Sequence, residues 1–313
     1  MPSFPKPKFP FSFQLTEEID HLLSHKDKRK IPEKTDDKLL VASWNVANLG
    51  LQKRDDVHYK LLSEIVGWFD IVAIQEVYQN LQGLRKIKSH LPPQYELVFS
   101  DKGGNNERSA FIYDTSKLKL LELIGEVAVS PSHHRYIKLP GIDQKFKGFD
   151  RNPYLSSFQF NNFTFILITV HSFFGSDSSD DVGRRALEAY AISRYADLQR
   201  KSKDAFSKNI ITLGDFNIPK IDSSDLVYKA LIKRGLKLPK HSTKVYSNIN
   251  NDKQYDQIAF LPSIKSKITA NGVFDFDSAI FPNLFQNHSA KNFKGYLKYY
   301  LSDHRPLWIQ LKL

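Results

Sequence analysis

Residues 39–76 read LLVASWNVANLGLQKRDDVHYKLLSEIVGWFDIVAIQE, and this stretch decides the fold class. The run at 39–44 is apolar and of strand length. Leu61, Leu62, Ile65, Val66 and Phe69 then recur at the spacing of one helix face. A second apolar run follows at 71–74, and Leu81, Leu84, Ile87 and Leu91 repeat the helical spacing. The opening pattern is therefore strand, helix, strand, helix. Each apolar run stops on polar residues, Asn45 in the first and Gln75-Glu76 in the second.

Toward the C-terminus the chain changes to consecutive strands, predicted at 95–99, 109–113, 118–123, 154–160 and 163–170, with an Asn161-Asn162 hairpin turn joining the last two. A long helix is expected over 181–199, a strand at 209–213, a helix at 224–233, and strands at 254–260 and 306–311. Helices interleaved with a mixed, largely antiparallel set of strands imply an α+β protein of two stacked sheets with helices outside. No repeat of fixed period and no Gly/Ser linker divides 39–313. Residues 1–38 stand apart as a Pro-rich extended arm and a short helix, which the sequence starts near Thr16 as N-cap with Glu17 and Glu18 in its first turn.

Composition narrows the function classes. The 313 residues include 23 Phe, 14 Tyr and 3 Trp, which excludes a chain disordered throughout. There is no cysteine, so disulfides, thiolate metal sites and cysteine nucleophiles are excluded together. Catalysis would have to use oxygen and imidazole groups. No apolar stretch reaches the roughly 18 residues that span a bilayer, so no membrane association is expected. The N-terminus MPSFPKPKFPFSF alternates Pro, Phe and Lys and lacks the pattern of a secretion signal, so the expected location is the cytoplasm, with a trimmed mature secreted chain as the alternative. A monomer is the default.

The net charge is +11, and residues 1–38 hold eight basic and seven acidic residues, so the excess belongs to the rest. Two basic runs, both read as loops, stand out: 135–151 has five basic residues against two acids, and 278–302 has Lys291, Lys294 and Lys298 with no acid. Interleaved with them are His133, His134, Tyr136, Phe146, Phe149, Tyr296, Tyr299 and Tyr300, which the sequence offers as faces for nucleobases.

The chemistry concentrates where strands run out. Asn45, Glu76, His171, the Gly214-Asp215-Phe216-Asn217 turn and Ser302-Asp303-His304 all sit at strand ends. Taken singly, each reads as a turn or a solvated loop. Together they supply hard oxygen ligands and imidazoles. Mg²⁺ takes one or two protein carboxylates and leaves the rest of its shell for water and substrate phosphate, while histidines titrate near pH ~6.5 and can move protons. These are the parts of phosphoester hydrolysis.

In order, the motifs WNV, QE, DRNP, VHS, GDFN, YDQI and SDHRP over 39–313 resemble the endonuclease/exonuclease/phosphatase superfamily, the deoxyribonuclease I-like group. The resemblance implies a four-layer α/β/β/α sandwich of two mixed β-sheets flanked by helices. It implies that Asn45 and Glu76 hold a primary Mg²⁺, which Mn²⁺ can replace, and that Asp215, Asn217 and Asp303 complete the acidic centre. His304 would be the catalytic base oriented by Asp256, and His171 the second histidine, with Glu107 as its carboxylate partner. Arg151 and Tyr255 would contact the substrate phosphate. The family's in-line water attack would leave a 5′-phosphate. Because both basic runs lead straight to site candidates, nucleic acid is the expected partner, DNA first and RNA second. The alternative is a phosphomonoesterase acting on inositol phosphates or another small polyanion; YDQI lacks the Pro-Ala-Trp that precedes it in the inositol phosphatases.

Overall fold

The computed structural model describes residues 3–240 and 245–313. Two mixed β-sheets are stacked between helices. The first contains β1 (Lys38–Leu49), β2 (Ile71–Tyr78), β3 (Tyr95–Phe99), β4 (Glu107–Asp114), β10 (Ile268–Val273) and β11 (Leu307–Lys312), in the order β10-β11-β1-β2-β4-β3. The second has the order β5-β6-β7-β8-β9, from β5 (Lys119–Glu126), β6 (Tyr154–Phe160), β7 (Phe163–His171), β8 (Ile210–Asp215) and β9 (Asp256–Phe260). Each sheet contains one parallel pair, β1 with β2 and β7 with β8, and is otherwise antiparallel. This is the four-layer sandwich expected from the sequence.

The continuous apolar runs are explained by burial on both faces. Along β1 and β2, Leu39, Val41, Ile71 and Ala73 face the core between the sheets. Their neighbours Leu40, Ala42, Val72 and Ile74 pack toward the outer helices. In β7 the same alternation puts Phe165 and Leu167 between the sheets and Ile166, Ile168 and Val170 outward. Each buried Val, Leu, Ile or Phe among them contributes about 1.5–3 kcal/mol.

Helices α1 (Leu15–Lys28), α2 (Asp56–Gly67), α3 (Gln82–Ser89), α6 (Pro282–Asn287) and α7 (Ala290–Tyr300) contribute to the core outside the first sheet. Helices α4 (Ser179–Lys201) and α5 (Leu226–Ile232) cover the second. None of the described helices is long and apolar enough to cross a membrane.

The sequence reading needs three corrections. Helix α1 starts one residue before Thr16, and Gln14, not Thr16, occupies its N-cap without a side-chain hydrogen bond. The run 278–302 is not a loop: it forms α6 and α7, ended by Leu301. Finally, Tyr296, Tyr299, Tyr300 and Phe146 are buried and cannot serve as faces for bases, whereas Tyr136 is exposed. The tyrosines fell on the inner stripe of an amphipathic helix, and burial of that stripe outweighs any contact they could make with solvent-borne ligands.

The N-terminal residues pack onto these tyrosines. Phe11 lies edge-on to Phe281 and Tyr296 at 5.5 and 5.2 Å, and Phe13 packs against Phe281 at 4.8 Å with the rings tilted by 56°. Behind them His25 Nε2 and Arg29 Nε reach the buried Asp275 carboxylate at 2.7 and 2.6 Å.

Candidate active site

The strand register assembles the site. Parallel pairing sets Asn45 opposite Gln75 and His171 opposite Asp215, and antiparallel pairing sets Asp215 opposite Asp256. The two parallel pairs end at the same edge of the sandwich, so polar residues from both sheets meet there. Gln75 Nε2 donates to Thr169 Oγ1 across the sheets at 2.8 Å. Asn45 Nδ2 donates to Glu76 Oε1 at 2.9 Å and to Asp215 Oδ2 at 3.1 Å. Gly214 makes the close approach of β8 to β7 feasible: at φ +139° its missing Cβ would lie 2.0 Å from the Val170 carbonyl oxygen.

Two histidines flank one carboxylate. His171 Nε2 and His304 Nε2 lie 3.9 and 3.8 Å from the same oxygen, Asp215 Oδ2. On their other nitrogens, His304 Nδ1 is 2.8 Å from Asp256 Oδ2 and His171 Nδ1 is 2.9 Å from Glu107 Oε2. Arg151 Nε also meets Glu107 Oε2 at 2.9 Å, and Tyr255 sits with its ring 6.0 Å from that of His304. Asn217 N–H donates to Asp215 Oδ1 at 2.8 Å, while its side chain donates to the Ser172 carbonyl at 2.9 Å. Asp303 projects at the rim, 24% exposed, 3.8 Å from Lys298 Nζ.

The charge pattern is that of a crowded acidic centre. Burial raises the Glu76 carboxyl, and the Asp303 and Glu107 charges add to this while His171 and His304 oppose it. Burial pulls His304 down, but Asp256 and Asp215 overcome it and hold the imidazole well above its ordinary value. For Glu107 burial pushes upward, yet His171 and Arg151 win and set it at about 2. Burial, aided by Asp215, pushes the Tyr255 hydroxyl to about 12.

Two site candidates are also strained. Glu76 and Asn217 occupy the left-handed region at φ 59° and 52°, which costs of order 1–3 kcal/mol for a non-glycine residue and persists only when surrounding contacts enforce it. For Glu76 those contacts are Asn45 and the Asn48 N–H, 2.8 Å from Oε2.

A metal fits this arrangement on one specific observation. Asn45 Oδ1 is buried with no hydrogen-bond partner among the described residues, a costly state unless a cation or water takes the oxygen. Beside it Glu76 and Asp215 supply carboxylates, an all-oxygen set suited to Mg²⁺ or Mn²⁺. The ligand atoms of Asp215, Asp256 and His304 also lie within 4.8 Å of one another. There, however, Asp256 Oδ2 and His304 Nδ1 are already taken up by each other, so the Asn45–Glu76 side is the better cradle.

Comparison with known proteins agrees with this architecture. No family model and no curated protein matches the sequence. Solved structures do match in fold. An endonuclease/exonuclease/phosphatase family protein from Bacteroides thetaiotaomicron aligns over 88% of this chain and 94% of its own at 20% identity, TM-score 0.56. The two chains share one fold, two stacked mixed sheets flanked by helices. A mannosyl-6-phosphatase from B. thetaiotaomicron VPI-5482 shares this fold over 87% of this chain and 98% of its own, at 20% identity and TM-score 0.56. So does D. rerio TDP2 complexed with a single-strand DNA product, over 88% and 99%, at 16% identity and TM-score 0.57.

Within this fold the structure brings together Asn45, Glu76, Glu107, His171, Asp215, Asn217, Asp256 and His304, with Arg151, Tyr255 and Asp303 around them. Sequence reasoning missed the residues that hold these in place. The Ser302 hydroxyl donates to the Asn45 carbonyl at 2.7 Å and accepts from His304 N–H at 3.0 Å, tying the final loop to β1. Trp44 Nε1 donates to the His304 carbonyl at 2.8 Å. The signal for Ser302 was its place beside Asp303-His304; Trp44 looked like core and is core.

Proposed function

We propose that the protein is a divalent-metal-dependent phosphodiesterase that hydrolyses nucleic acid, DNA in the first instance, by in-line attack of water. The observation that carries this reading is the pair of carboxylate-backed imidazoles whose Nε2 atoms converge on Asp215 Oδ2. Asn45 and Glu76 would hold the cation, with Asp215, Asn217 and Asp303 completing the polar centre. The metal, when bound, supplies positive charge to phosphoryl oxygens and their developing negative charge.

The chain's own residues supply the rest. Asp256 accepts from His304 Nδ1–H and so leaves Nε2 as the proton acceptor; Asp215 Oδ2, at 3.8 Å, is too far to occupy that nitrogen. His304 then takes a proton from the attacking water, and the Asp256 and Asp215 charges stabilise the imidazolium. His171, held by Glu107, presents Nε2 from the opposite side. Arg151, held by Glu107 at Nε and Asp150 at Nη1, offers its permanent positive charge to the phosphate, and Tyr255, kept protonated, donates its hydroxyl.

Support for a polymeric substrate comes from α7. Lys291, Lys294 and Lys298 recur at helical spacing along its outer face, a row that ends beside Asp303. Neither Lys291 nor Lys294 has an ion-pair partner among the described residues. Lys294 also lines a groove of about 400 Å³ with Phe285, which is 61% exposed, and Ile249, whose N–H donates to the Asp303 carbonyl. A single strand could place phosphates along the lysines and a base against Phe285. The second reading, a phosphomonoesterase of small polyanions, is favoured by the fold shared with the mannosyl-6-phosphatase.

A panel of plasmid, single-stranded DNA, RNA and inositol polyphosphate with Mg²⁺ tests the reading. Chelator-sensitive cleavage of a polynucleotide is expected. Turnover of inositol polyphosphate alone would transfer the assignment to the phosphatase, and chelator-resistant cleavage would overturn the metal. For the lysine row, Lys291→Gln with Lys294→Gln should flatten the log–log salt dependence of single-strand binding by about 1.4, two contacts at ~0.7 each. Turnover of the small diester bis(p-nitrophenyl) phosphate should stay unchanged; an unaltered salt slope would remove the row from the binding surface.

A further inference from the structure

Helix α4 lies outside the second sheet and carries none of the site's cation-binding, imidazole or phosphate-contact residues. Two of its side chains, Arg184 and Glu188, one turn apart, nevertheless grip the same two residues beside the site. Glu188 Oε1 accepts from the Asp150 N–H at 3.0 Å, and Glu188 Oε2 accepts from the Phe173 N–H at 3.0 Å. Arg184 Nη2 donates to Asp150 Oδ1 at 3.0 Å, and the Arg184 guanidinium stacks 3.8 Å above the Phe173 ring. Asp150 is the residue before Arg151, and Phe173 lies two residues after His171.

These contacts close a ring. From Glu188 the path runs to the Asp150 amide and on to Arg151, whose Nε meets Glu107 Oε2 at 2.9 Å. The Glu107 carboxylate meets His171 Nδ1 at 2.9 Å, and the backbone from His171 returns through Ser172 to the Phe173 amide on Glu188. Asp150 Oδ2 adds a brace to Arg151 Nη1 at 3.2 Å. Glu188 thus holds both the loop carrying Arg151 and the strand exit carrying His171 through two backbone N–H groups.

We propose that Glu188, assisted by Arg184, is a positioning residue that sets the spacing of Arg151 and His171 and thereby the fit of the substrate phosphate between them. The inference rests on the roles given to Arg151 and His171 under the proposed function. A stability role is a poor alternative explanation. Glu188 is only 2% exposed, and burial pushes its carboxyl up to about 7 against the pull of the two N–H groups and Arg184. A carboxylate kept in such surroundings costs folding energy. What it provides is placement of two backbone segments that no sheet pairing holds, since Asp150 and Phe173 both lie outside strands.

The test is a double-mutant cycle on turnover of bis(p-nitrophenyl) phosphate with Mg²⁺. Glu188→Gln keeps the shape but turns an amide N–H₂ toward one of the two backbone donors. It should lower kcat/KM by about 10²-fold, the cost of a displacement near 1 Å at the reacting centre. In a Glu107→Gln background, where the ring is already broken, the same change should cost less than about threefold. Thermal unfolding should shift by no more than a few degrees. Arg184→Ala, on a side chain 40% exposed, repeats the experiment with a smaller loss and the same non-additivity, and stands in should Glu188→Gln fail to fold. Equal losses in both backgrounds, or no loss in either variant, would overturn the proposal. A wild type without turnover would instead refute the proposed function. The clamp would then be judged by amide exchange, where Glu188→Gln must deprotect Asp150 and Phe173 together; continued protection of either would refute it.

Discussion

Asp215→Asn is expected to reduce phosphodiester turnover by about 10³-fold or more, the upper end of what loss of one preorganised polar group costs. Asp215 Oδ2 is the point on which His171, His304 and the Asn45 amide converge, at 3.9, 3.8 and 3.1 Å. Removing its charge therefore weakens the cation cradle and the support for the His304 imidazolium in a single change. The fold should survive. The amide is nearly isosteric, its oxygen can still accept the Asn217 N–H, and the repulsion that Asp215 exerts on the buried Asp256 is relieved. The expected result is a melting temperature within a few degrees of wild type or above it. In the chelated protein the His304 pKa should move down, because Asp215 is one of the charges that raise it. Turnover within tenfold of wild type would remove Asp215 from the mechanism.

The second large effect is expected at Asp256. Asp256→Asn should cost about 10²–10⁴ in kcat, the range seen when the partner that fixes a catalytic imidazole's tautomer is made neutral. With an amide at 2.8 Å from Nδ1, the ring no longer has a charged acceptor there, and Nε2 is no longer reserved for the incoming proton. The effect must travel through His304. Accordingly, Asp256→Asn combined with His304→Ala should be no slower than His304→Ala alone, and the His304 pKa in the chelated single variant should fall toward ~6.5. Losses that multiply in the double variant would show that Asp256 acts elsewhere.

How much of this was readable beforehand depends on the range of the interactions involved. Asn45, Glu76, His171, Asp215 and His304 stand where apolar runs stop, and a short-range pattern finds them. The run 278–302 was readable as basic, and its helices carry local start signals, Pro282 at the first position of α6 and Ser289 as the N-cap of α7, but α6 is only six residues long and Gly295 weakens α7, so tertiary packing is needed to stabilise both. Its tyrosines looked like ligand-binding faces because the direction of a helix stripe is invisible until its neighbour is known. Glu188 left no trace at all. On a helix one turn from Arg184 it reads as an ordinary surface ion pair, and only the arrival of Asp150 and Phe173 from other parts of the chain makes it a clamp.

Taken by itself, the sequence determined the alternation of strands and helices, the absence of thiol chemistry, and the placing of oxygen and imidazole groups at strand ends, all set by residue identity within a few positions. Tertiary structure alone decided which of those ends meet. Asn45 and Asp215, 170 residues apart, bond because the two parallel strand pairs, stacked through a shared apolar core, end at one edge of the sandwich. Periodicity carries the face on which a side chain lies; the stacking of one sheet on another is a long-range choice made by burial, and the site is its product.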